Sequence, residues 1–327
     1  MRALTILRPG GTEVLRIGTT ADPVIGPEDV LVRVRASALN RADILQRRGL
    51  YPAPPGYPAD IPGLEFSGEV ASCGPRVGRL QPRDRVMGIV GGGGQAEKLS
   101  IHERLCLVIP PGMSFEEAAA VPEAFLTAYD ALFVRAGLQP GELVLLHAAG
   151  SGVGTAAAAM ATVAGARVIA LSRSADKRRR LESMGLHRVC DPTAPEVVET
   201  IRMASGGGGV DVVIDVLGAS SWDMNVEVLA SRGRLVLVGT MGGAKVEADL
   251  GALMRKRLTV VGTVLRSRPI EDKIELVQSF SRTMLPLLAS GRLMPVVDRV
   301  LPLEDAATAH AIMERNENFG KIVLRVS

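Results

Sequence analysis

The first 120 residues alternate between apolar and polar positions over short stretches, as half-buried β-strands do. The segment Val30–Ala36 shows this two-residue period, and Gly68–Ser72 has the same character. Five prolines between positions 52 and 62 exclude a helix there and predict an extended loop, and the glycines at 91–94 predict a second, flexible loop. This part of the chain is therefore predicted to be rich in strands and loops.

The pattern changes after residue 113. Ser114 followed three positions later by Glu117 is a capping box, which predicts an alanine-rich helix, and a second helical pattern runs from Glu123 to about Ala136. Beyond it, continuously apolar strands alternate with helix-length stretches, which is typical of a parallel sheet covered on both faces. The predicted strands are Leu143–His147, Arg167–Leu171, Val210–Asp215, Arg234–Gly239 and Leu258–Gly262, and two predicted helices are Gly152–Ala164 and Lys177–Met184.

The chain from about Ser267 returns to a mixed pattern and ends in a predicted strand, Lys321–Val326. A β-rich part, a region of alternating strands and helices, and a short C-terminal return predict one domain inserted into another. We place the outer domain at 1–122 and 267–327 and the inserted domain at 123–266. The predicted fold class is α/β, with a doubly wound parallel sheet inserted into a β-rich domain.

Composition narrows the functional classes. The net charge is only +3, from 38 basic and 35 acidic side chains, which gives no argument for a nucleic-acid partner or a membrane surface. Cys73, Cys106 and Cys190 lie far apart without a CxxC pair, so we expect no disulfide framework and a reducing, cytoplasmic compartment. The uncharged stretch Leu143–Ala166 is long enough to cross a bilayer, but its four glycines and three leucines favour a buried strand, turn and helix.

The most informative segment is the turn between the first of these apolar strands and the following helix, which contains Gly150, Gly152 and Gly154. A helix N-terminus leaves backbone N–H groups unpaired and carries positive partial charge, so it attracts phosphate. Glycine lets a pyrophosphate approach the backbone and lets the helix pack on the strand. Because a strand precedes the turn and a helix and another strand follow it, the segment predicts a dinucleotide site.

The end of the next strand indicates which dinucleotide binds. NAD sites usually place an acidic residue about 20 residues beyond the glycines, where it bonds the ribose 2′-hydroxyl. Here the strand ends in Ser172, Arg173 and Ser174, without an acid among them. These hydroxyl and cationic groups, with Lys177, would bind the 2′-phosphate that an acid would repel. We therefore predict NADPH as the cofactor, and we expect Arg178–Arg180 to be a solvated helix face.

Seven motifs are spread in order over nearly the whole chain. They are ASALNRAD at 36–43, RGLYP at 48–52, GLEFSG at 63–68, DRVM at 84–87, PEAFLTA at 122–128, HAAGSGVG at 147–154 and GKIV at 320–323. Together they resemble the zinc-less quinone oxidoreductases of the medium-chain dehydrogenase/reductase superfamily, and more narrowly the p53-inducible subgroup.

The resemblance implies a GroES-like catalytic domain, made of the N-terminal part and the C-terminal return, with a Rossmann domain between them. It implies that NADPH and a small-molecule quinone or other activated carbonyl bind in the cleft between the domains. It also implies a homodimer or homotetramer, often joined through the edge strand that matches Leu258–Val264.

The resemblance also carries over site residues. Asn40, Asp43 and Tyr51 would lie near the nicotinamide and the substrate: Asn40 can donate an amide hydrogen bond to a carbonyl oxygen, and Tyr51 can donate its hydroxyl or stack on a flat ring. Asp43 is assigned to orientation. The implied cofactor contacts are Thr127 at the nicotinamide amide, Ser151, Gly152, Val153 and Gly154 at the pyrophosphate, Ser172, Arg173, Ser174 and Lys177 at the ribose phosphate, Gly239, Met241 and Gly242 in a loop after a strand, and Val264, Leu265, Arg266 and Asn318.

The chain departs from its superfamily at several positions. Ser151 replaces the usual middle glycine, as in the p53-inducible subgroup, and Pro192 stands where a tyrosine often packs near the adenine. Zinc-containing relatives have metal ligands where this chain has Asn40 and Leu64, and the four-cysteine structural lobe is missing. Because leucine supplies no ligand, we expect no metal. Glu65 is then expected to be a structural hydrogen-bonding group, and His147 a buried structural imidazole.

A quinone is electron-poor and accepts reducing equivalents without metal polarisation, so the protein has to orient its ring and stabilise the developing oxyanion. The leading hypothesis is therefore a zinc-independent NADPH:quinone oxidoreductase. The alternatives are an enone or enoyl-thioester reductase on the same scaffold and an NADPH-binding protein with little turnover. The sequence leaves open the physiological acceptor, one- or two-electron reduction and the exact oligomeric state.

Overall fold

The computed structural model describes residues 1–326, and the chain forms two compact units. The outer unit consists of Met1–Leu126 and Leu265–Ser327, and the inserted unit is Thr127–Val264. The boundaries drawn from the sequence, at 122/123 and 266/267, lie four and two residues away from these.

The strands follow one another through both units. In chain order they are β1 (Arg2–Ile6), β2 (Leu15–Thr19), β3 (Asp29–Ala38), β4 (Glu65–Cys73), β5 (Arg85–Ile89), β6 (Lys98–His102), β7 (Cys106–Val108), β8 (Leu143–Leu146), β9 (Arg167–Leu171), β10 (Arg188–Cys190), β11 (Val210–Asp215), β12 (Leu229–Leu237), β13 (Thr259–Gly262), β14 (Val297–Pro302) and β15 (Lys321–Arg325).

The helices lie between them. They are α1 (Arg41–Arg47), α2 (Phe115–Ala119), α3 (Pro122–Tyr129), α4 (Gly152–Val163), α5 (Ala175–Glu182), α6 (Val197–Ala204), α7 (Trp222–Val228), α8 (Leu250–Lys256), α9 (Ile270–Thr283), α10 (Leu285–Ala289) and α11 (Ala306–Glu314).

The outer unit is built on a sheet with the strand order β14-β15-β3-β4-β5-β7, in which β6 also pairs with β3. Its strands pair antiparallel, except that β14 and β15 are parallel. In β3 the side chains of Val30, Val32 and Val34 are fully buried, whereas Arg33 between them is exposed. The predicted alternation of this strand is therefore confirmed, and its apolar face forms part of the core.

The inserted unit contains a parallel sheet with the strand order β10-β9-β8-β11-β12-β13. This is the order of the doubly wound dinucleotide-binding fold, in which the strand order reverses between β8 and β11 and ligands bind beyond the carboxyl ends of the strands. All four residues of β8 are at most 1% exposed, so this strand is covered on both faces. The predicted fold class is confirmed.

Some elements differ from the sequence prediction. The helix predicted over 123–136 is α-helical only to Tyr129 and continues as a π-helix over Asp130–Arg135. Strand β12 begins five residues before the predicted Arg234, because residues 230–233 form an irregular extension at a break in its register with β11. Helix α9 was not predicted, although its apolar side chains recur at helical spacing and are buried.

The uncharged stretch Leu143–Ala166 folds as strand β8, the glycine-rich turn and helix α4. Across residues 1–326, every helix is too short or too polar to span a membrane. Cys73, Cys106 and Cys190 are all free thiols.

Candidate functional site

The turn after β8 has the backbone arrangement of an anion-binding helix start. Ala148 takes the left-handed conformation, with φ of 47°, and Ser151 caps α4 by accepting a hydrogen bond from Gly154 N at 3.0 Å through its Oγ. The N–H groups of Gly152 and Val153 belong to the first turn, where a helix supplies no acceptor of its own. These two donors and the positive end of a 12-residue helix are therefore offered to a phosphate.

Gly154 has a steric reason to be glycine. A Cβ at this position would lie 2.6 Å from Ala148 O and 2.6 Å from both Cα and O of Ala149. These are backbone atoms of the turn and cannot rotate away as a side chain can. The close approach of α4 to the end of β8 therefore depends on this glycine.

The end of β9 presents the residues predicted to bind the 2′-phosphate. Ser172 is buried and Arg173 is exposed, while Ser174 caps α5 by accepting a hydrogen bond from Lys177 N. The expectation of a solvated face was wrong for Arg178. Its Nη1 donates to Ser172 O at 2.9 Å, to Arg173 O at 2.8 Å and to the Asp191 carboxylate at 2.7 Å, because its position in the first turn of α5 lets the side chain reach the end of the strand.

The loop after β12 folds onto the loop after β11, at the carboxyl edge of the sheet. Met241 N donates to Val216 O at 3.2 Å and Gly242 N donates to Leu217 O at 2.7 Å. A Cβ on Gly242 would lie 2.0 Å from Ser220 Oγ and 2.8 Å from Ser220 Cβ, so the loop packs closely against Ser220 at this position. The predicted cofactor segment Gly239–Gly242 thus lies at the edge where doubly wound folds bind ligands.

The prediction that His147 is a buried structural imidazole is confirmed. It is 3% exposed, and its Nε2 lies 2.7 Å from Asn225 Oδ1. Asn225 Nδ2 in turn donates to Asp215 Oδ2 at 3.0 Å, and Ser221 Oγ donates to the same oxygen at 2.9 Å. Because burial lowers the pKa of His147, the ring is neutral and carries its proton on the nitrogen that faces Asn225.

In the outer unit, a buried ammonium group joins two of the motifs. Lys321 Nζ donates to Glu65 Oε1 at 2.6 Å, to Asn40 Oδ1 at 2.6 Å and to Leu39 O at 3.0 Å. Glu65 is fully buried and Lys321 is 4% exposed. The second carboxylate oxygen of Glu65 accepts a hydrogen bond from Glu123 N at 2.7 Å. Glu65 is therefore the structural hydrogen-bonding group that the sequence predicts.

Asn40 and Asp43 are held by bonds within the same unit. Asn40 Nδ2 donates to Glu65 Oε1 at 2.8 Å and to Ala38 O at 3.3 Å, so both of its amide hydrogens are engaged. Asp43 Oδ2 accepts from Asn40 N at 2.7 Å, and its Oδ1 accepts from Gly63 N at 2.8 Å. Burial raises the pKa of the fully buried Asp43 to about 6, and the two backbone donors oppose that rise.

Arg266 was predicted as a cofactor contact in the inserted domain, whereas the structure places it in the outer unit, where the residue is 3% exposed. Its Nε donates to Gly91 O at 2.8 Å, its Nη1 to Tyr51 O at 3.0 Å and its Nη2 to Gln46 Oε1 at 2.5 Å. Its Cζ also lies 5.0 Å from the centre of the Tyr51 ring. Arg266 thereby fixes the proline-rich loop that carries Tyr51. Lys273 Nζ donates to Arg266 O at 2.7 Å.

Glu123 is an acidic residue that the sequence analysis missed as a functional candidate. It is half-buried near the start of α3, and its Oε2 is buried without a donor among the residues that the structure describes. Burial, with repulsion from Glu65, raises the pKa of Glu123 to about 8. The signal available in the sequence was a carboxyl group directly after the helix-starting Pro122, inside one of the motifs.

The other predicted site residues differ in exposure. Thr127 is half-buried on α3, and Val264 is 49% exposed at the end of the inserted unit. Leu265 and Asn318 belong to the outer unit and are 6% and 7% exposed, and Asn318 Nδ2 donates to Gly320 O at 2.7 Å.

The residues that match zinc-ligand positions do not suit a zinc ion. Leu64 is buried and has no donor atom, while Asn40 and Glu65 both bond the ammonium group of Lys321. A structural or catalytic zinc needs at least three protein ligands. Within residues 1–326, the His, Cys, Asp and Glu side chains form no group of three or more that could hold a metal ion.

Comparison with known families agrees with this two-part organisation. Residues 26–130 match the family described as the alcohol dehydrogenase GroES-like domain, and residues 152–282 match the family described as zinc-binding dehydrogenase.

Several relatives match almost the whole chain. A quinone oxidoreductase of Lama guanicoe is 30% identical over 327 residues, which cover 99% of this chain and 97% of the relative. The synaptic vesicle membrane protein VAT-1 homolog of Homo sapiens is 32% identical, over 99% of this chain and 86% of the relative. The phthioceranic/hydroxyphthioceranic acid synthase of Mycobacterium tuberculosis is 32% identical over 99% of this chain, but the chain spans only 15% of that synthase.

Solved structures with the same fold include proteins with different activities in their names. An NAD-dependent alcohol dehydrogenase matches with a TM-score of 0.88 and 33% identity, covering 100% of both chains. A mycobacterial protein complexed with NADPH matches with a TM-score of 0.89 and 27% identity, again over 100% of both chains. CurK enoyl reductase matches with a TM-score of 0.87 and 27% identity, over 100% of this chain and 99% of that one.

The chain therefore belongs to the medium-chain dehydrogenase/reductase superfamily, whose members are nicotinamide-dependent oxidoreductases. Its relatives of similar length include a quinone oxidoreductase, so the predicted resemblance to that family is confirmed.

Proposed function

We propose that the protein reduces quinones with NADPH and needs no metal for the reaction. The observation that carries this proposal is the Lys321 ammonium, which bonds both Glu65 and Asn40, and Asn40 stands at a position where zinc-containing relatives have a metal ligand. Without a Lewis acid at that place, the acceptor should be one that takes a hydride readily, and a quinone is such an acceptor. The full-length similarity to a quinone oxidoreductase supports the same choice.

NADPH is proposed over NADH because Ser172–Ser174, at the end of β9, offer hydroxyl and cationic groups and contain no acidic residue. Ser174 and Lys177 are half-buried, Arg173 is exposed, and Arg178 fixes the backbone that carries them. A 2′-phosphate would gain charge-assisted hydrogen bonds there. One solved relative is a complex with NADPH, which favours the proposal, whereas another is an NAD-dependent alcohol dehydrogenase.

The bound nicotinamide would supply the hydride, and the protein would supply binding and orientation. We propose that the turn at Gly152–Gly154 holds the pyrophosphate and that Tyr51 positions the flat ring of the acceptor. Asn40 was expected to bond the acceptor or the cofactor. Because both of its amide hydrogens are already engaged, we propose instead that it positions Lys321 and Glu65.

The decisive experiment is anaerobic turnover with NADPH and with NADH against a panel of quinones and α,β-unsaturated carbonyl compounds. We expect quinone-dependent oxidation of NADPH, with kcat/KM at least about tenfold higher than for NADH, which corresponds to about 1.4 kcal/mol. The rate should be unchanged by an added chelator. Equal use of both nucleotides would contradict the NADPH proposal, and loss of activity with the chelator would contradict metal independence.

An enone or enoyl-thioester reductase is the second candidate, and two relatives favour it. One is CurK enoyl reductase, and the other is the phthioceranic/hydroxyphthioceranic acid synthase, part of which this chain matches. In the same panel, rapid reduction of unsaturated thioesters with slow reduction of quinones would support this function. Nucleotide binding without turnover of any acceptor would support the third alternative, an NADPH-binding protein.

We further propose that two copies associate through β13, as a homodimer. This strand lies at the edge of the parallel sheet and pairs only with β12 in the part of the chain described here, while Val260 is 37% and Met254 on the preceding helix 78% exposed. An unpaired apolar edge favours pairing with another chain. We expect light scattering to give the mass of a dimer and Val260→Lys to give a monomer. A monomeric parent protein at micromolar concentration would contradict the proposal.

A further inference from the structure

The position of Glu123 on α3 suggests a role beyond packing. Of the residues from Pro122 to Tyr129, only Glu123 and Thr127 are not buried. They are four residues apart, which places them on the same face of the helix. The carboxyl group of Glu123 therefore shares a helix face with the residue predicted to bind the nicotinamide amide.

One carboxylate oxygen of Glu123 makes no hydrogen bond within residues 1–326. Its backbone N–H bonds Glu65, but its Oε2 is buried and has no hydrogen-bond donor within residues 1–326. A buried acceptor without a partner costs free energy, and an ionised carboxylate in that position costs more. The arrangement therefore favours the neutral carboxyl group, which can donate a hydrogen bond to an acceptor oxygen.

The cations near Glu123 make hydrogen bonds to other groups. Lys321 is engaged with Glu65 and Asn40, and the guanidinium of Arg266 already donates to three oxygens. Lys273 donates to a backbone carbonyl. The groups that act electrostatically on Glu123 from the elements around it are Asp43 on α1, Tyr51 in the proline-rich loop, Glu65 on β4, Arg266 before α9, Lys273 on α9 and Lys321 on β15.

Together, these effects keep the carboxyl group of Glu123 protonated at neutral pH. Burial and the nearby carboxylate of Glu65 raise the pKa of Glu123 to about 8, and the cations reduce that rise only in part. By contrast, burial raises the pKa of Tyr51 above its usual value of 10, so its hydroxyl is a weaker acid than the Glu123 carboxyl.

We propose that Glu123 is a catalytic acid that hydrogen-bonds the carbonyl oxygen of the acceptor and then protonates it. This inference rests on the function proposed above. The quinone takes two electrons and one hydrogen as hydride from the reduced nicotinamide, which becomes the oxidised nucleotide. The resulting hydroquinone monoanion takes the carboxyl proton of Glu123, and the Glu123 carboxylate recovers a proton from water. One hydride and one proton thus convert the quinone to the hydroquinone.

The first test is the kinetics of Glu123→Gln. Glutamine has nearly the same shape and keeps the backbone bond to Glu65, but it cannot give up a proton. We expect kcat to fall about 100-fold, within the range usual for a lost general acid. In the parent protein, kcat should decrease as the pH rises through about 8 because the carboxyl group loses its proton. This alkaline decrease should be absent in the glutamine variant, and Glu123→Asp should restore part of the activity.

A matched control is available in the same unit. Glu275 lies on α9 and is exposed, so Glu275→Gln makes the same chemical change away from the cluster. We expect its kcat and its pH profile to equal those of the parent protein.

The second test does not depend on turnover. Infrared difference spectra of the nucleotide-free protein, recorded from pH 6 to pH 10, should show a protonated carboxyl band that disappears near pH 8. The band should be missing in Glu123→Gln and present in Glu275→Gln. If no such band titrates above pH 6, Glu123 is ionised at neutral pH and is not a proton donor.

The outcomes separate this inference from the proposed function. If the parent protein reduces quinones and Glu123→Gln keeps more than half of its kcat with an unchanged pH profile, the acid role fails and the proposed function stands. If the parent protein reduces no acceptor, the proposed function fails and the acid role fails with it. A 100-fold loss without the expected infrared band would show that Glu123 acts only on the positions of its neighbours.

Discussion

Replacing Lys321 by methionine is expected to lower the free energy of unfolding by about 3–5 kcal/mol, the usual cost of removing one partner from a buried ion pair. Lys321 is 4% exposed and donates to three oxygens, including the carboxylate of the fully buried Glu65. Methionine fills similar space but leaves the negative charge of Glu65 without a cation. The loss can be measured by urea unfolding followed by circular dichroism.

Two further variants separate the buried charge from a general effect of losing a lysine. Lys98 pairs with Asp22 at 2.5 Å on the surface, so Lys98→Met should change the stability little, because exposed pairs contribute little. Adding Glu65→Gln to Lys321→Met should recover part of the loss, since the uncompensated charge is then gone. Equal losses for Lys321→Met and Lys98→Met would contradict this account of the cluster.

The fold could be predicted from the sequence because its main elements carry local signals. Strand β8 is apolar at every position and β3 alternates, and these two patterns distinguish a strand covered on both faces from a strand covered on one. The capping box at Ser114 and Glu117 also forms as predicted. The π-helix after Tyr129 and the extension of β12 were missed, because each depends on contacts that the hydrophobic pattern does not carry.

The candidate site was less accessible from the sequence, because its residues are joined across long separations. Lys321 lies in one of the seven motifs without a predicted role, and its three acceptors lie more than 250 residues away along the chain. Arg178 was expected to lie on a solvated helix face, yet it reaches back to the end of β9. In both cases the residue type was visible in the sequence, and the partner was not.

Asp43 and Glu123 show how hydrogen-bond partners determine the protonation state of a carboxyl group. Asp43 and Glu123 both lose water on folding, but Asp43 accepts hydrogen bonds from two backbone N–H groups, whereas Glu123 Oε2 accepts none among residues 1–326. The pKa of Asp43 accordingly rises only to about 6, while that of Glu123 rises to about 8. At neutral pH the first is a charged group that fixes the start of α1, and the second holds a proton. Nothing in the residue types alone distinguishes them.

Gly154→Ala is expected to weaken the binding of both NADPH and NADH by at least about tenfold, or about 1.4 kcal/mol. The added Cβ would lie 2.6 Å from backbone atoms of Ala148 and Ala149, so the turn or the start of α4 has to move. That movement displaces the N–H groups of Gly152 and Val153 from the pyrophosphate, which both nucleotides share. Isothermal titration calorimetry with each nucleotide measures the effect.

Two control variants accompany Gly154→Ala. One replaces a glycine where alanine fits without a clash, and the other removes a side chain that should contact only NADPH. Gly208 lies in the same unit, and a Cβ there would have only Ser205 O nearby, at 3.9 Å, so Gly208→Ala should bind both nucleotides as the parent protein does. Arg173→Ala should weaken NADPH alone, because only NADPH carries the 2′-phosphate. An added methyl group at Gly154 fits only if the backbone at the start of α4 shifts. If Gly154→Ala nevertheless binds both nucleotides within twofold of the parent affinity, the pyrophosphate binds elsewhere.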